Sequence, residues 1–318
     1  PNEHPRSKNV NSYKISLTNL EKIKLEKLYI HSKERAFIVD KEVSNLKFVA
    51  DFLAGENKIY VLPSIESKVK TISFLNNFIQ EKAIKNPNRS RATGYIPKKA
   101  IKKNSLLIII GGGILCNCGA YIAEQTNSHY ILFPTTVLSM ADGALGGKVR
   151  VNLAEANKYI KHYYKKFYEP NAVFIDVRFL ETLSEREKCI GIVEIIKHGL
   201  FQSSDLYNFI LNNSEKILKD NKTLKKAILW SIELKRICLE IDPDEKENGS
   251  KKILRAGHDF SDKLEEERKL NVPHGFAVSI GIIKQLSKEN NRELLNKAEN
   301  IIEIQPLWVP FHSTQSLL

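Results

Sequence analysis

The sequence predicts an α/β domain with a parallel sheet, followed by a mostly α-helical domain. In the first half, short apolar runs alternate with amphipathic stretches, and strands separated by helices pair in parallel through right-handed crossovers. From about Phe179 onward the strand-like runs end and long helical patterns follow. We therefore expect a domain boundary near residue 178, giving domains of residues 1–178 and 179–318.

Five apolar runs are the predicted strands of the first domain, and amphipathic stretches lie between most of them. Ligands bind beyond the carboxyl ends of the strands in such sheets, so functional residues are expected there. The strands are predicted at 35–40, 58–62, 106–110, 130–133 and 172–177, and the helices at 72–83, 115–125, 184–201, 205–218 and 223–240.

Composition limits the possible functions. The chain has no run of eighteen or more apolar residues, and its N-terminus lacks the apolar core of a signal peptide, so we expect a cytoplasmic protein without membrane contact. The net charge of +12 is spread over helices and loops, which argues against nucleic acid and suits a small anionic substrate. Cys116 and Cys118 resemble half of a metal site, but no second Cys or His pair follows them, which favours a structural role.

Three glycines, Gly111, Gly112 and Gly113, follow the most hydrophobic predicted strand. They let the backbone approach a ligand closely, and the amides of the following helix N-terminus attract phosphate, as a dinucleotide requires. A tight connection without a ligand would use the same glycines. The segment 134–148, PTTVLSMADGALGGK, adds hydroxyl groups, backbone amides and a lysine suited to phosphate.

Glu194 and Lys197 lie three residues apart in GIVEIIKHG, on one face of a predicted helix. Such a pair is usually an exposed salt bridge, but the surrounding isoleucines and valine indicate a buried helix, where a carboxylate needs a cation or metal partner. His258 and His274 each adjoin a glycine. Two histidines and a distant carboxylate would form a catalytic His₂Glu zinc site, although any two of the eight histidines could be chosen.

Six motifs, in chain order, are similar to those of 3-dehydroquinate synthase and the related sugar phosphate cyclases. They are GGGILCNCGAY, FPTTVLSMADGALGGK, AVFIDVRFLETLSERE, GIVEIIKHGL, AGHDFSDKLE and PHGFAV, with IVD near Asp40 upstream. The resemblance implies an α/β N-terminal Rossmann-like NAD domain, a mostly α-helical metal-binding domain, an active site in the cleft between them, and a homodimer.

The resemblance also assigns roles by motif position. It implies ligands of Zn²⁺ or Co²⁺, residues that act on a sugar-phosphate substrate, and residues that contact NAD. Lys158 competes with Lys161, because the segment from Lys148 to Tyr168 is longer than usual. The metal ligands would be Glu194, His258 and His274; the catalytic residues Asp142, Lys148, Lys161, Lys197, Lys235, Lys251, Arg255 and Asp262; and the NAD contacts Asp40, Lys70, Gly111, Gly112, Gly113, Asn117, Thr135, Thr136, Phe179, Thr182 and Leu183.

In the reaction implied by the resemblance, NAD takes a hydride from the substrate and later gives it back. NAD would oxidise a substrate hydroxyl transiently, phosphate would be eliminated, NADH would reduce the ketone again, and an intramolecular aldol addition would close the ring. Family members continue into further helices that supply a lysine, whereas this chain ends in LWVPFHSTQSLL, so we expect a helical domain that is short at its C-terminus.

Departures from the family pattern concern the substrate pocket. Arg255 and Asp262 stand at family Asn and His positions, His162 follows Lys161 in place of Asn, and no arginine precedes the PTT motif. Asp262 would repel an anion unless it pairs, for example with Arg255. Four interpretations stay open: a diverged dehydroquinate synthase, a sedoheptulose 7-phosphate cyclase whose substrate lacks a carboxylate, a non-catalytic binding protein, and a dehydrogenase that shares the architecture.

Overall fold

The computed structural model describes residues 14–23, 32, 34–64, 69–80, 101–155, 158–242, 246, 248–268 and 272–303. They form two compact units. The first unit contains the described residues up to Thr135 together with Gly146–Phe179, and the second contains Thr136–Leu145 together with those from Leu180 onward. The short segment Thr136–Leu145 therefore belongs to the second unit, although residues of the first unit flank it on both sides.

A six-stranded parallel sheet forms the centre of the described part of the first unit, in the order β1-β8-β5-β4-β2-β3. The five predicted strands are confirmed, but the strand predicted over 172–177 ends at Ile175, because the Asp176 carboxylate accepts the backbone N–H of Arg178 and a helical turn begins at Val177. A sixth strand, β1, was not predicted because its short sequence KISL is only partly buried at the edge of the sheet. The strands are β1 (Lys14–Leu17), β2 (Arg35–Asp40), β3 (Ile59–Leu62), β4 (Leu106–Gly111), β5 (His129–Pro134) and β8 (Ala172–Ile175).

Helices cover the sheet, and the fully buried strand β4 lies in its interior. Its continuous run LLIII is the pattern expected of a strand with both faces covered. Helix α3 packs on β4 and β5 and begins at Gly113, two residues after the last strand residue, Gly111. The helices of this unit are α1 (Lys47–Leu53), α2 (Ile72–Gln80) and α3 (Gly113–Gln125); residues 81–83 of the predicted helix 72–83 lie outside the described residues.

An antiparallel hairpin also belongs to the first unit and was not predicted. It consists of β6 (Lys148–Glu155) and β7 (Lys158–Phe167), with an irregularity between Val151 and Leu153. Strand β6 packs on α2 and α3 through buried valines, while lysines and tyrosines dominate β7. This polar, weakly alternating strand lacks the apolar run from which the sheet strands were recognised.

The described part of the second unit is helical, which confirms the predicted fold class. The prediction of one helix over 205–218 is wrong at its end, because the helix stops at Asn212. The side-chain amide of Asn213 donates a hydrogen bond to the carbonyl of Phe209 at 2.6 Å, and such a bond competes with continuation of the helix. The helices are α4 (Glu185–Phe201), α5 (Ser204–Asn212), α6 (Asn221–Ile241), α7 (Asn248–Leu254), α8 (His258–Glu267), α9 (His274–Lys288) and α10 (Arg292–Glu303).

Polar caps fix where these helices begin. Ser184 accepts a hydrogen bond from the backbone of Glu187 and starts α4, and Asp220 accepts two backbone hydrogen bonds and starts α6. Among the described helices, none combines the length and apolar character needed to span a bilayer.

Candidate functional site

Three helices of the second unit bring Glu194, His258 and His274 together. Glu194 lies in the middle of α4, and the histidines are the first residues of α8 and α9. One ligand atom from each residue lies within 4.8 Å of the other two. The Nε2 atoms of His258 and His274 are 3.9 and 3.7 Å from Glu194 Oε1. Residues separated by up to 80 positions in the chain thus form one compact set of metal-donor atoms.

The Glu194 carboxylate is almost fully buried, with 1% of its surface exposed. Its Oε2 contacts the Lys197 ammonium, while Oε1 has no hydrogen-bond partner among the described residues. Burial alone would raise the pKa of Glu194, but Lys197 and the two histidines hold that pKa well below its usual value, so the carboxylate is ionised. A buried anionic oxygen without a donor is costly, and a cation bound between Oε1 and the two Nε2 atoms would satisfy it.

Both histidines are oriented through Nδ1. That of His258 faces the carbonyl of Ala256 at 3.2 Å, and that of His274 faces Glu265 Oε1 at 2.8 Å. Burial, with repulsion from Lys197, lowers the pKa of His258 to about 4, so this imidazole is neutral near pH 7, the form that binds metals. Two imidazole nitrogens and one carboxylate oxygen match the donor set of catalytic zinc.

Glycines explain how the three helices approach so closely. A Cβ atom on Gly275 would lie 2.0 Å from the carbonyl oxygen of Ile190, so only glycine lets the start of α9 touch α4 one turn before Glu194. Gly257 has a φ of 76°, a left-handed conformation that favours glycine and turns the chain into α8. The glycines next to both histidines therefore have a packing role.

Two lysines lie in charged contacts within the second unit. Lys197 is fully buried, contacts Glu194 and donates to the carbonyl of Leu254 at 2.9 Å. Lys235, from α6, donates to the backbone oxygen of Asp142 at 2.7 Å and to its Oδ1 at 2.6 Å. Burial would raise the pKa of Asp142, but the Lys235 charge outweighs it and holds that pKa below the usual range. The predicted catalytic residues Asp142 and Lys235 thus form one ion pair.

Arg255 lies between α7 and α8, and Asp262 lies in the first half of α8. Arg255 Nη2 is 3.1 Å from Asp259 Oδ1 and 3.6 Å from Asp262 Oδ2, so the pairing considered from the sequence is present. Asp262 is near enough to His258 to act electrostatically on its ring. Lys251 belongs to α7, and its side chain is outside the described part of the structure.

Other predicted residues collect at one edge of the sheet in the first unit. Asp40 ends β2, Gly111 ends β4, and Thr135 follows β5, three neighbouring parallel strands. The Asp40 carboxylate accepts backbone hydrogen bonds from Glu42 and Val43, and Thr135 donates its backbone N–H to Gly111 at 3.1 Å. This edge carries Asp40, Gly111, Gly112, Gly113 and Thr135 beside the start of α3, as expected for a nucleotide site.

The remaining predicted NAD contacts belong partly to the first unit and partly to the second. Asn117 already uses its side chain within the first unit: its Nδ2 donates to Gly113 O at 3.0 Å, and its Oδ1 accepts from the backbone of Arg150 at 2.8 Å. Phe179 is buried with its ring 5.1 Å from that of Phe48. Lys70 is buried in the first unit, whereas Thr136, Thr182 and Leu183 belong to the second unit, with Thr182 exposed.

The hairpin carries the last two predicted lysines. Lys148 begins β6 and is half-buried, and Lys161 in β7 is buried. Both lie in the first unit, whereas the donor set of Glu194 lies in the second. The side chain of Lys158, the alternative to Lys161, is outside the described residues.

Two cysteines of α3 fit the structural interpretation. Cys116 and Cys118 are buried, and burial raises the pKa of the Cys116 thiol to about 12, which keeps it protonated. Glu265 contacts His274 but was not among the predicted site residues. It lies two helical turns after His258 in the motif AGHDFSDKLE. That spacing, which places both residues on one face of α8, was the available signal.

Two protein-family models match consecutive parts of the chain. The family described as "3-dehydroquinate synthase N-terminal" matches residues 77–189, and the family described as "3-dehydroquinate synthase C-terminal" matches residues 191–312. A 3-dehydroquinate synthase from a Sulfurovum species is 38% identical over 184 residues, which are 57% of this chain and 50% of that relative. The matched part thus spans about half the length of the relative.

Two solved structures share the fold. A 2-epi-5-epi-valiolone synthase from Streptomyces hygroscopicus, with NAD⁺ and Zn²⁺ bound, has a TM-score of 0.74 and 21% identity, covering 95% of this chain and 82% of that one. A 2-deoxy-scyllo-inosose synthase complexed with carbaglucose-6-phosphate, NAD⁺ and Co²⁺ has a TM-score of 0.68 and 24% identity, covering 93% and 81%.

Proposed function

Since this chain belongs to the sugar phosphate cyclase superfamily, we propose that it is a 3-dehydroquinate-synthase-like lyase. It would convert a heptulose phosphate into a carbocycle and release phosphate, using NAD and Zn²⁺ or Co²⁺, as a homodimer. One observation carries the proposal: the buried Glu194 oxygen faces the Nε2 atoms of His258 and His274 and has no hydrogen-bond donor among the described residues.

The charged groups around Glu194 suit this chemistry. When bound, the metal would supply a Lewis acid and NAD a reversible hydride acceptor. Lys197, fixed by Glu194 and Leu254, places positive charge beside the metal ligands, where it would stabilise a substrate alkoxide. We assign Lys235 to the leaving phosphate, with Asp142 holding its ammonium in position.

NAD is assigned to the sheet edge of the first unit. The backbone amides at the start of α3 would donate hydrogen bonds to the pyrophosphate, since Gly111 has no side chain to cover the backbone there. A Cβ atom on Gly111 would lie 2.9 Å from the side chain of Leu115. Asp40, at the end of the neighbouring strand, is the acidic residue suited to a ribose hydroxyl.

The Arg255 contacts favour sedoheptulose 7-phosphate as the substrate over a heptulose phosphate that carries a carboxylate. Arg255 is compensated by Asp259 and Asp262, so the three residues together carry a net negative charge. Such a group repels a carboxylate and accepts hydroxyl groups without an electrostatic cost. This substrate choice is a second, finer proposal within the same reaction class.

Phosphate release tests the reaction class. The purified chain, with NAD⁺ and Zn²⁺ or Co²⁺, is incubated with each candidate heptulose phosphate, and inorganic phosphate is followed over time. We expect metal-dependent release that falls to background in Glu194→Gln, because that variant loses the anionic ligand. Glu267→Gln, which removes an exposed charge in α8, is the control and should keep wild-type activity. Release from neither substrate, or equal release by Glu194→Gln, would count against the proposal.

A further inference from the structure

Glu265 is a buried carboxylate for which the proposed reaction has no direct use. Only 2% of its surface is exposed, yet it lies in the otherwise polar helix α8, next to the acidic residues Glu266 and Glu267. Its Oε1 is 2.8 Å from Nδ1 of His274. Burying a carboxylate costs free energy unless a specific partner compensates it, and His274 is the partner that the geometry provides.

The packing of α8 against α9 brings these two residues together. Gly257, just before α8, touches Ile282 near the end of α9, and Glu265 near the end of α8 touches His274 at the start of α9. The two helices therefore run antiparallel and place the Glu265 carboxylate behind the imidazole ring of His274. The opposite ring nitrogen, Nε2, then points at Glu194 Oε1, 3.7 Å away.

We propose that Glu265 is a positioning residue that fixes His274 as a metal ligand, by accepting the Nδ1–H hydrogen bond and leaving Nε2 as the bare lone pair. The inference rests on the proposed metal site. A carboxylate hydrogen-bonded to the far side of a ligating imidazole sets its tautomer, limits its rotation and makes Nε2 a stronger donor. His258 has a carbonyl, that of Ala256, in the corresponding place, so the two histidines are held by acceptors of different charge.

The test is metal affinity, measured by competition with a chromophoric chelator for Zn²⁺ and Co²⁺. Glu265→Gln keeps the size of the side chain and removes its charge, and we expect a loss in affinity of about 10- to 100-fold. Glu265→Asp keeps the charge and should recover part of this loss. Glu267→Gln, an exposed position on the same helix, is the matched control and should bind metal like the wild type.

The absorption spectrum of bound Co²⁺ distinguishes a positioning role of Glu265 from a purely structural one. The visible absorption of bound Co²⁺ reports ligand geometry, and we expect it to change in Glu265→Gln at saturating metal and to stay unchanged in Glu267→Gln. An unchanged affinity and an unchanged Co²⁺ spectrum in Glu265→Gln would overturn the inference and leave the proposed function standing. Absence of metal binding by the wild type would overturn the proposed function, and this inference with it.

If the Glu265 variants fail to fold, a measurement on the wild type can still test the inference. Ring-nitrogen NMR of the Zn²⁺-loaded wild type distinguishes a His274 ring that binds metal through Nε2 from one that binds through Nδ1. We expect His274 as the Nδ1–H tautomer with a strongly deshielded proton, as a hydrogen bond to a carboxylate requires. The Nε2–H tautomer at His274 would contradict the inference.

Discussion

At the residue scale, the candidate metal site depends on two buried carboxylates, Glu194 and Glu265, which contact Lys197 and His274. The isoleucines around Glu194 and Lys197 predict a buried pair, and both side chains are almost completely buried. Glu265 is different, because three acidic residues in succession, 265–267, look like a solvated helix end. The packing of α9 against α8 selects one of them for burial, and the local sequence signals this contact only through the seven-residue spacing from His258 to Glu265.

Asp262→Asn tests the substrate choice at the same scale. The substitution removes one of the two carboxylates that compensate Arg255, so we expect the ratio of kcat/KM values to shift toward the carboxylate-bearing heptulose phosphate. A partly exposed ion pair contributes up to about 1 kcal/mol, which corresponds to about a fivefold shift. Steady-state kinetics with both substrates measures it. Glu267→Gln controls for net charge, and an unchanged ratio in Asp262→Asn would argue against the Arg255 interpretation.

At the element scale, continuous apolar runs predicted five strands of the parallel sheet, and buried helical patterns predicted α4 and α6. The hairpin of β6 and β7 was missed, because its second strand consists mainly of lysines and tyrosines and shows no apolar run. Helix contacts were also beyond prediction. A glycine beside a histidine looks like a loop residue, whereas Gly275 in fact lets α9 touch the backbone of α4.

Gly275→Ala tests that contact. The added methyl group would meet the carbonyl of Ile190 at 2.0 Å, so the helices must separate. We expect the free energy of unfolding to fall by about 1–3 kcal/mol, as for other overpacked cores. Metal affinity should weaken as well, because His274 adjoins the displaced residue. Urea denaturation and chelator competition measure the two effects.

Gly249→Ala is the matched control for Gly275→Ala. Gly249 is also helical, in α7, but a Cβ there would have no atom within 4 Å. We expect unchanged metal affinity and a slight gain in stability, since alanine is the better helix former by about 0.5–1 kcal/mol. Equal behaviour of the two variants would mean that the close approach of α9 to α4 does not support the metal site.

At the scale of the whole molecule, the change from alternating strands and helices to helices alone predicted the fold class correctly. The path of the chain was harder to predict, because Thr136–Leu145 belongs to the helical unit although it precedes β8, a strand of the sheet, in the sequence. That segment is too short for a periodic pattern, and a Cβ on Gly191 of α4 would lie 2.5 Å from the backbone nitrogen of Leu138. Its position thus depends on tertiary contact, which also places Asp142 beside Lys235.

In the proposed reaction, NAD returns the hydride that it takes, so this chain would act as a cyclase and not as a dehydrogenase. The most direct test follows inorganic phosphate and NADH together, in one reaction of the metal-loaded chain with NAD⁺ and a heptulose phosphate. We predict that phosphate accumulates over many turnovers while the NADH concentration stays unchanged. NADH that accumulates in step with turnover, without phosphate release, would contradict the claim and identify a dehydrogenase.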